Sequence, residues 1–262
     1  MYLSRRSGAS AASAGCSPND EEGRCDQDAK NARNDDYATA VICLLGTLAL
    51  AAGRTANGGT TKSKEAPSAA PVPISASALA FHNAMRKLWE DHITYTRNVI
   101  ISFELNEPDP SVVLPDLSTV VDRLLQNQVD IGDAIRPYYG TDAGNQLTAL
   151  LKEHITGAAK VLTALKTNDQ EALQTALTAW YANAHEIAVF LSNANPKNWP
   201  LSEMDRMMKD HLDATTEEAV ARHQGNWNGD VGAYDKVHTQ ALAMADMLSN
   251  GIIAQFPAKF RP

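Results

Sequence analysis

The chain has 262 residues, 44% of them hydrophobic, 21% charged and only 6% aromatic, with a formal charge of −8. That is enough for one domain of ordinary size, able to bury a core without covalent staples, and a tail. The acidic excess lies wholly after residue 78, and with no basic stripe to offset it, it argues against nucleic acid as a partner.

The three cysteines, Cys16, Cys25 and Cys43, all precede Gly53. Everything after that point lacks a thiol, so it can hold no disulfide framework, Cys-ligated zinc or cysteine nucleophile. A cysteine-free domain suits an oxidising compartment. Residues 1–36 are rich in Ser, Ala, Gly, Asn, Asp and Arg without an apolar period, and read as a disordered or wrongly assigned N-terminal extension. Residues 37–53 contain the one strongly apolar run, Ala38 to Gly53. It is short against the roughly 20 residues of a spanning helix. It suits the core of a signal peptide, with small residues for cleavage at Ala49-Leu50-Ala51, or an uncleaved anchor. Either reading places the protein outside the cytoplasm: secreted, periplasmic or membrane-anchored. Residues 54–78, with Pro67, Pro71 and Pro73 among Gly, Thr, Ser and Ala, form an extended tether.

Residues 79–262 follow a helical pattern throughout. The expected helices are 79–105, 116–135, 142–166, 169–193, 203–223 and 230–256, punctuated by Pro and Gly. Asn168-Asp169 caps the fourth, and Ser202 with Asp205 forms a capping-box variant at the fifth. Short loops between long helices make neighbours antiparallel. The expected fold is therefore all-α, an up-down bundle of about six helices with a four- to five-helix core.

Four of these helices aim a histidine at the core. His92 lies among Phe81, Met85, Leu88, Val99 and Phe103. His154 lies among Leu147, Leu150, Leu151, Ala158, Val161, Leu162 and Leu165. His211 lies among Met204, Met207, Met208, Thr215 and Ala219. His238 shares a stripe with Val231, Tyr234, Ala241, Ala245, Leu248, Ile252 and Phe256. All four sit near mid-helix, so an up-down bundle brings them to similar depth. Bundle cores build metal and cofactor sites from such facing side chains, and imidazole suits zinc, copper, iron and nickel. Glu218, two turns beyond His211, adds a carboxylate. His185, at the edge of the fourth stripe, is a fifth imidazole, and Asp235 is placed to orient the His238 ring. Met207 and Met208 flank His211, which is compatible with copper but commoner as core filling. Gln128 falls on the inner stripe of the second helix and needs a buried partner, for which the histidines are natural candidates. Arg97 is within helical reach of Glu90 and Asp91. Asp130 and Asp133 could bind a cation only if the helix broke at Gly132. Glu-x-x-His, His-Glu-x-x-His, Ser/His/Asp and phosphate-loop signatures are all missing.

Five stretches carry a resemblance: Leu88-Trp89-Glu90-Asp91-His92; Asp130-Ile131-Gly132-Asp133-Ala134-Ile135-Arg136-Pro137-Tyr138-Tyr139-Gly140; Leu151-Lys152-Glu153-His154; Ala188-Val189-Phe190-Leu191-Ser192-Asn193-Ala194-Asn195-Pro196; and Ala243-Met244-Ala245-Asp246. In these the chain resembles a group of bacterial all-helical proteins without established biochemistry, often labelled glycosyltransferase or acetylglutamate kinase. The resemblance covers roughly residues 79–260 and implies a helical bundle, often exported or anchored. It transfers no catalytic residue, and no nucleotide-sugar or kinase pattern supports either label here. Three functional expectations stand side by side. The first is an exported or tethered bundle that binds a transition metal or small ligand through its inward histidines. The second is a structural or interaction module with a polar histidine layer. The third is an enzyme using that layer with Glu218 as acid or base.

Overall fold

A computed structural model describes residues 75–105, 107 and 109–261. The apolar run at 38–53, the three cysteines and nearly all of the expected tether lie outside the described residues. Six helices follow one another: α1 (Ala76–Phe103), α2 (Leu117–Tyr139), α3 (Thr141–Lys166), α4 (Gln170–Ala194), α5 (Leu201–His223) and α6 (Trp227–Gln255), with a final 3-10 turn at Pro257–Phe260. The described residues contain no strand, so the expected all-α bundle is what the chain forms.

Each helix packs against its predecessor and its successor, and α6 packs back on α1, closing a ring. Short connections drive this arrangement. Gly140 alone joins α2 to α3, its φ of 89° being open to glycine at little cost. Asn168 does the same work between α3 and α4 at φ 53°. The helix α5 also touches α1 and α3, so it leans into the middle of the ring.

The caps explain the helix starts. Ser75 accepts from Ala78 N at 3.1 Å, which sets the start of α1 three residues before the expected one. Asp169 accepts from Ala172 N at 2.9 Å, as its position next to the fourth stripe implied. The expected Ser202–Asp205 cap does not form. Helix α5 begins earlier, at Leu201 after Pro200, and Ser202 lies inside its first turn. Pro137 does not close α2 but sits in its last turn, where it forgoes the bond to the carbonyl four residues back and only two helical residues follow it.

Helix α2 is unbroken at Gly132, so the conditional cation site at Asp130 and Asp133 has no loop to form in. Those carboxylates pair with Arg123 and Arg136. The glycine has another role: a Cβ there would lie 2.6 Å from the carbonyl oxygen of Gly144 and collide with Thr148. Gly132 and Gly144 thus let α2 and α3 touch backbone to backbone, which draws their inner faces close to the centre.

Lys166 is fully buried at the end of α3. Its ammonium donates to Phe103 O at 2.5 Å and Val112 O at 2.6 Å, pinning the α1–α2 connection to the bundle. No described helix is long and apolar enough to cross a membrane.

Candidate functional site

Three of the four expected inward histidines meet in the core. His92, His154 and His211 are all buried. The leaning of α5 decides the arrangement, because it places His211 between the other two. Its ring centroid is 5.8 Å from that of His92 and 6.1 Å from that of His154. Tryptophans flank the outer pair: Trp89 meets the His92 ring edge-on at 5.6 Å, and Trp180 lies 5.2 Å from His154.

Each Nδ1 is held by a side-chain amide, and the amides' other contacts fix which atom faces the ring. Asn183 donates from Nδ2 to Leu150 O at 3.2 Å, so its oxygen faces His154, with Oδ1 3.0 Å from Nδ1. Gln240 donates to Met207 O at 2.9 Å, and its Oε1 lies 3.1 Å from His211 Nδ1. In both histidines Nδ1 therefore carries the proton and Nε2 keeps a lone pair. Gln128 is oriented the other way. Its amide nitrogen donates to Leu124 O at 2.7 Å and faces His92 Nδ1 at 3.2 Å. His92 Nδ1 is thus an acceptor, and its proton sits on Nε2. Gln128 does find a histidine, as its place on the inner stripe implied, but its own Oε1 remains buried without a partner.

Among the described residues no carboxylate pairs with these rings, and the layer is neutral at pH 7. Burial first, and then for His92 and His154 the neighbouring imidazoles, lower His92 and His154 to about 3; burial lowers His211 to about 4. Three neutral imidazoles, two of them with the lone pair on Nε2, form a donor set suited to a transition metal. The amides supply the outer hydrogen bonds that ligating histidines need. As the rings stand, no three His, Cys, Asp or Glu among the described residues are arranged to hold an ion. Two imidazoles on one tetrahedral ion, bound at about 2.0–2.1 Å, have centroids on the order of 5 Å apart. The present spacings of 5.8 and 6.1 Å are wider, and the rings would have to close by on the order of 1 Å.

The remaining expected members lie elsewhere. His238 is not in the layer: its side chain is 34% exposed, with Nε2 3.5 Å from Glu90 Oε1 on the outer surface. The buried face of α6 runs through Asp230, Ala233, Val237, Ala241, Met244, Ala245 and Leu248, so Val237 takes the inward place and Val231 is exposed. Asp235 is exposed as well. His185 is 57% exposed and pairs with Asp205 at 2.7 Å.

Glu218 is buried as its stripe implied, but two turns from His211, roughly 10 Å along the helix axis. It belongs to a second buried cluster. Arg97 meets Glu218 at 2.6 Å and Asp230 at 2.7 Å, and Arg222 reaches Asp230 at 3.4 Å. Arg97 therefore does not pair with Glu90 or Asp91; Asp91 is taken by Lys87 and Arg123. Burial pushes the Glu218 carboxyl up to about 7, against the pull of Arg97. So committed, Glu218 neither adds a carboxylate to the layer nor reaches it as an acid or base. Met204, Met207, Met208 and Met244 fill the core.

The amides were the residues that periodicity undervalued. Asn183 lies three residues after Trp180 and four before Ile187, squarely on its helix's apolar stripe. A lone amide on such a stripe is the available signal that something polar lies opposite. Asn127, also fully buried, donates to Leu88 O at 2.9 Å beside His92. Comparison with protein-family models, with curated proteins and with solved structures finds no match to this chain. The resemblance noted above therefore stands on its five sequence stretches alone.

Proposed function

We propose that His92, His154 and His211 form a binding site for a first-row transition-metal ion in the core of an exported or membrane-tethered helical bundle. The observation that supports this is the gathering of three neutral imidazoles in one buried layer, His211 between the other two, each with Nδ1 held by an amide. Structural cores have no need to gather three such rings, whereas a metal requires its ligands deprotonated and oriented. Nitrogen ligands alone favour zinc, copper, iron or nickel over calcium or magnesium. The export part of the proposal rests on the apolar run at 38–53 and on the absence of cysteine after Gly53.

Full-length protein purified without a histidine tag, loaded with zinc and dialysed, tests the site. The expectation is near-stoichiometric metal and a higher melting temperature with zinc present, because the ion binds the folded state. His154→Ala or His211→Ala should remove most of the metal, and the double variant should add little further loss. His238→Ala, on the outer surface, should retain it. Metal content unchanged by His154→Ala would overturn the assignment.

One observation favours a second reading, a purely structural polar layer. His92 accepts a hydrogen bond from Gln128 at Nδ1, so its Nε2 is an N–H and not a ligand. Metal binding requires the Gln128 amide to turn over and free that nitrogen. In a structural layer zinc would change nothing, and each histidine replaced by alanine would cost about 1–3 kcal/mol by stranding its amide.

A further inference from the structure

Five seams of the ring are closed on the outside by a polar contact between neighbouring helices. Asp91 meets Arg123 across α1–α2, Arg136 meets Asn145 across α2–α3, and His185 meets Asp205 across α4–α5. Glu217 meets Lys236 across α5–α6, and Arg86 meets Asp246 across α6–α1. Among the described residues the α3–α4 seam has no such contact at its outer edge; its polar contacts, such as Asn183 to Leu150 O, lie inside. The charged side chains beside it are Lys152, Glu153, Lys160, Glu171 and Glu186. All five are exposed, and none has an ion-pair or hydrogen-bond partner in the chain.

Two depressions follow this seam. One of about 590 Å³ is lined by the half-buried apolar side chains of Leu150, Val189 and Phe190. The other, of about 800 Å³, lies nearer the far end and is flanked by Lys160 and Glu171. Between the charges the face is neutral: α4 has no charged residue from 172 to 184, although Ala172, Thr175, Ala179 and Ala182 are all exposed. A neutral middle with charge at its rim is the distribution found at protein interfaces. The two helices, of 26 and 25 residues, present a face of about 38 Å by about 20 Å. That is roughly 750 Å², against about 800 Å² per partner in a standard stable complex.

The charges identify what covers the face. The cations Lys152 and Lys160 belong to α3, and the carboxylates Glu171 and Glu186 to α4. A two-fold axis parallel to the helices sets α3 of one copy against α4 of the other, level with level. The contact of His154 with Asn183 fixes those levels. Lys152 and Glu186 then stand within about 2 Å of one height, and Lys160 and Glu171 roughly 9 Å apart, within reach of two long side chains. Glu153 faces the neutral middle of α4. An axis running across the helices would instead bring cation to cation and carboxylate to carboxylate.

We propose that the outer α3–α4 face is the interface of a parallel two-fold homodimer, in which Lys152 and Lys160 of each copy pair with Glu186 and Glu171 of the other. The proposal goes beyond the metal reading and does not depend on it, because every side chain it pairs lies on the outer surface.

Sedimentation of full-length, metal-free protein across the micromolar range tests it, and a monomer–dimer equilibrium is expected. Two charge reversals then probe the pairing: Lys152→Glu with Lys160→Glu, and Glu171→Lys with Glu186→Lys. All four positions are exposed, so both variants should fold as the parent does. Each alone places like charges across the axis and should weaken self-association by about tenfold or more. Mixed in equal amounts, the two variants regain opposite charges at every pair and should form a heterodimer about as tight as the parent dimer. Ala182→Arg, in the neutral middle, should leave a folded monomer. A parent that stays monomeric, a dimer unmoved by the reversals or by Ala182→Arg, or a mixture no more dimeric than its two parts would overturn the proposal.

Discussion

Two buried polar clusters share this bundle and solve the same problem in opposite ways. Around His211, titratable groups with no counter-charge have shed their protons and rely on neutral amides. Around Arg97, the groups carry charge and rely on one another, two carboxylates being gathered on one guanidinium with Arg222 beside them. Tyr234 adds its ring face, 4.7 Å from the Arg97 guanidinium carbon. The difference teaches which cluster is free to accept a guest. In the ionic one the carboxylates are taken up by guanidiniums of the protein itself. The histidine one keeps a lone pair on Nε2 of His154 and of His211, and with it a sensitivity to acid.

Acid should separate the two most strongly. The free imidazole titrates near 6.5, and the folded layer near 3 to 4. Between those values the unfolded chain binds more protons, so stability falls as pH falls. Urea unfolding should show a loss on the order of 5 kcal/mol from the three rings between pH 7 and 4.5. Glu218 works the other way. Its folded carboxyl is raised to about 7, so it protonates first in the fold and offsets part of the loss. His154→Gln should remove about one third of the histidine slope; a stability that is flat or rises toward acid would show the rings are not buried neutral.

Breaking the ionic cluster comes next in size. Arg97→Ala leaves Glu218 and Asp230 buried without their cation, and should cost about 3–5 kcal/mol in chemical denaturation. Neutralising all three positions, as Arg97→Met with Glu218→Gln and Asp230→Asn, should restore most of that. A single-variant loss below about 1 kcal/mol would mean that water reaches the cluster.

The smallest effect belongs to one amide of the neutral layer. Asn183→Leu strands the Nδ1 proton of His154 and should cost about 1–3 kcal/mol. Combined with His154→Leu it should cost less than the sum, because the two residues share one hydrogen bond. Strict additivity in that thermal or urea series would show that Asn183 does not hold the ring.

Most of the fold was legible because apolar period and Pro/Gly punctuation are local properties. Helices α3 and α4 begin and end within a residue of the pattern's limits. Of the four histidines expected to face the core, three do. His238 misled because α6 is rich in small residues and half of its true stripe is shared with the expected one, through Ala241, Ala245, Leu248 and Ile252. What turns its first half is Asp230, buried because Arg97 lies opposite on α1. Nothing within α6 signals that, since the partner is 133 residues away. The same holds for Glu218: periodicity gave its face, but only the third dimension shows that its partner is a guanidinium and not an imidazole.

The Oγ1 of Ser75, which caps α1, also donates to Phe260 O, 185 residues further along, at 2.5 Å. With α6 already packed against α1, this bond brings the first and last described turns into contact. A ring joined in this way has no privileged first stave. The polypeptide could be recut at Gly225, between α5 and α6, and spliced across Ser75 and Phe260 by a short linker, and every helix would keep both of its neighbours. The order in which the helices are synthesised is therefore incidental to the barrel they build.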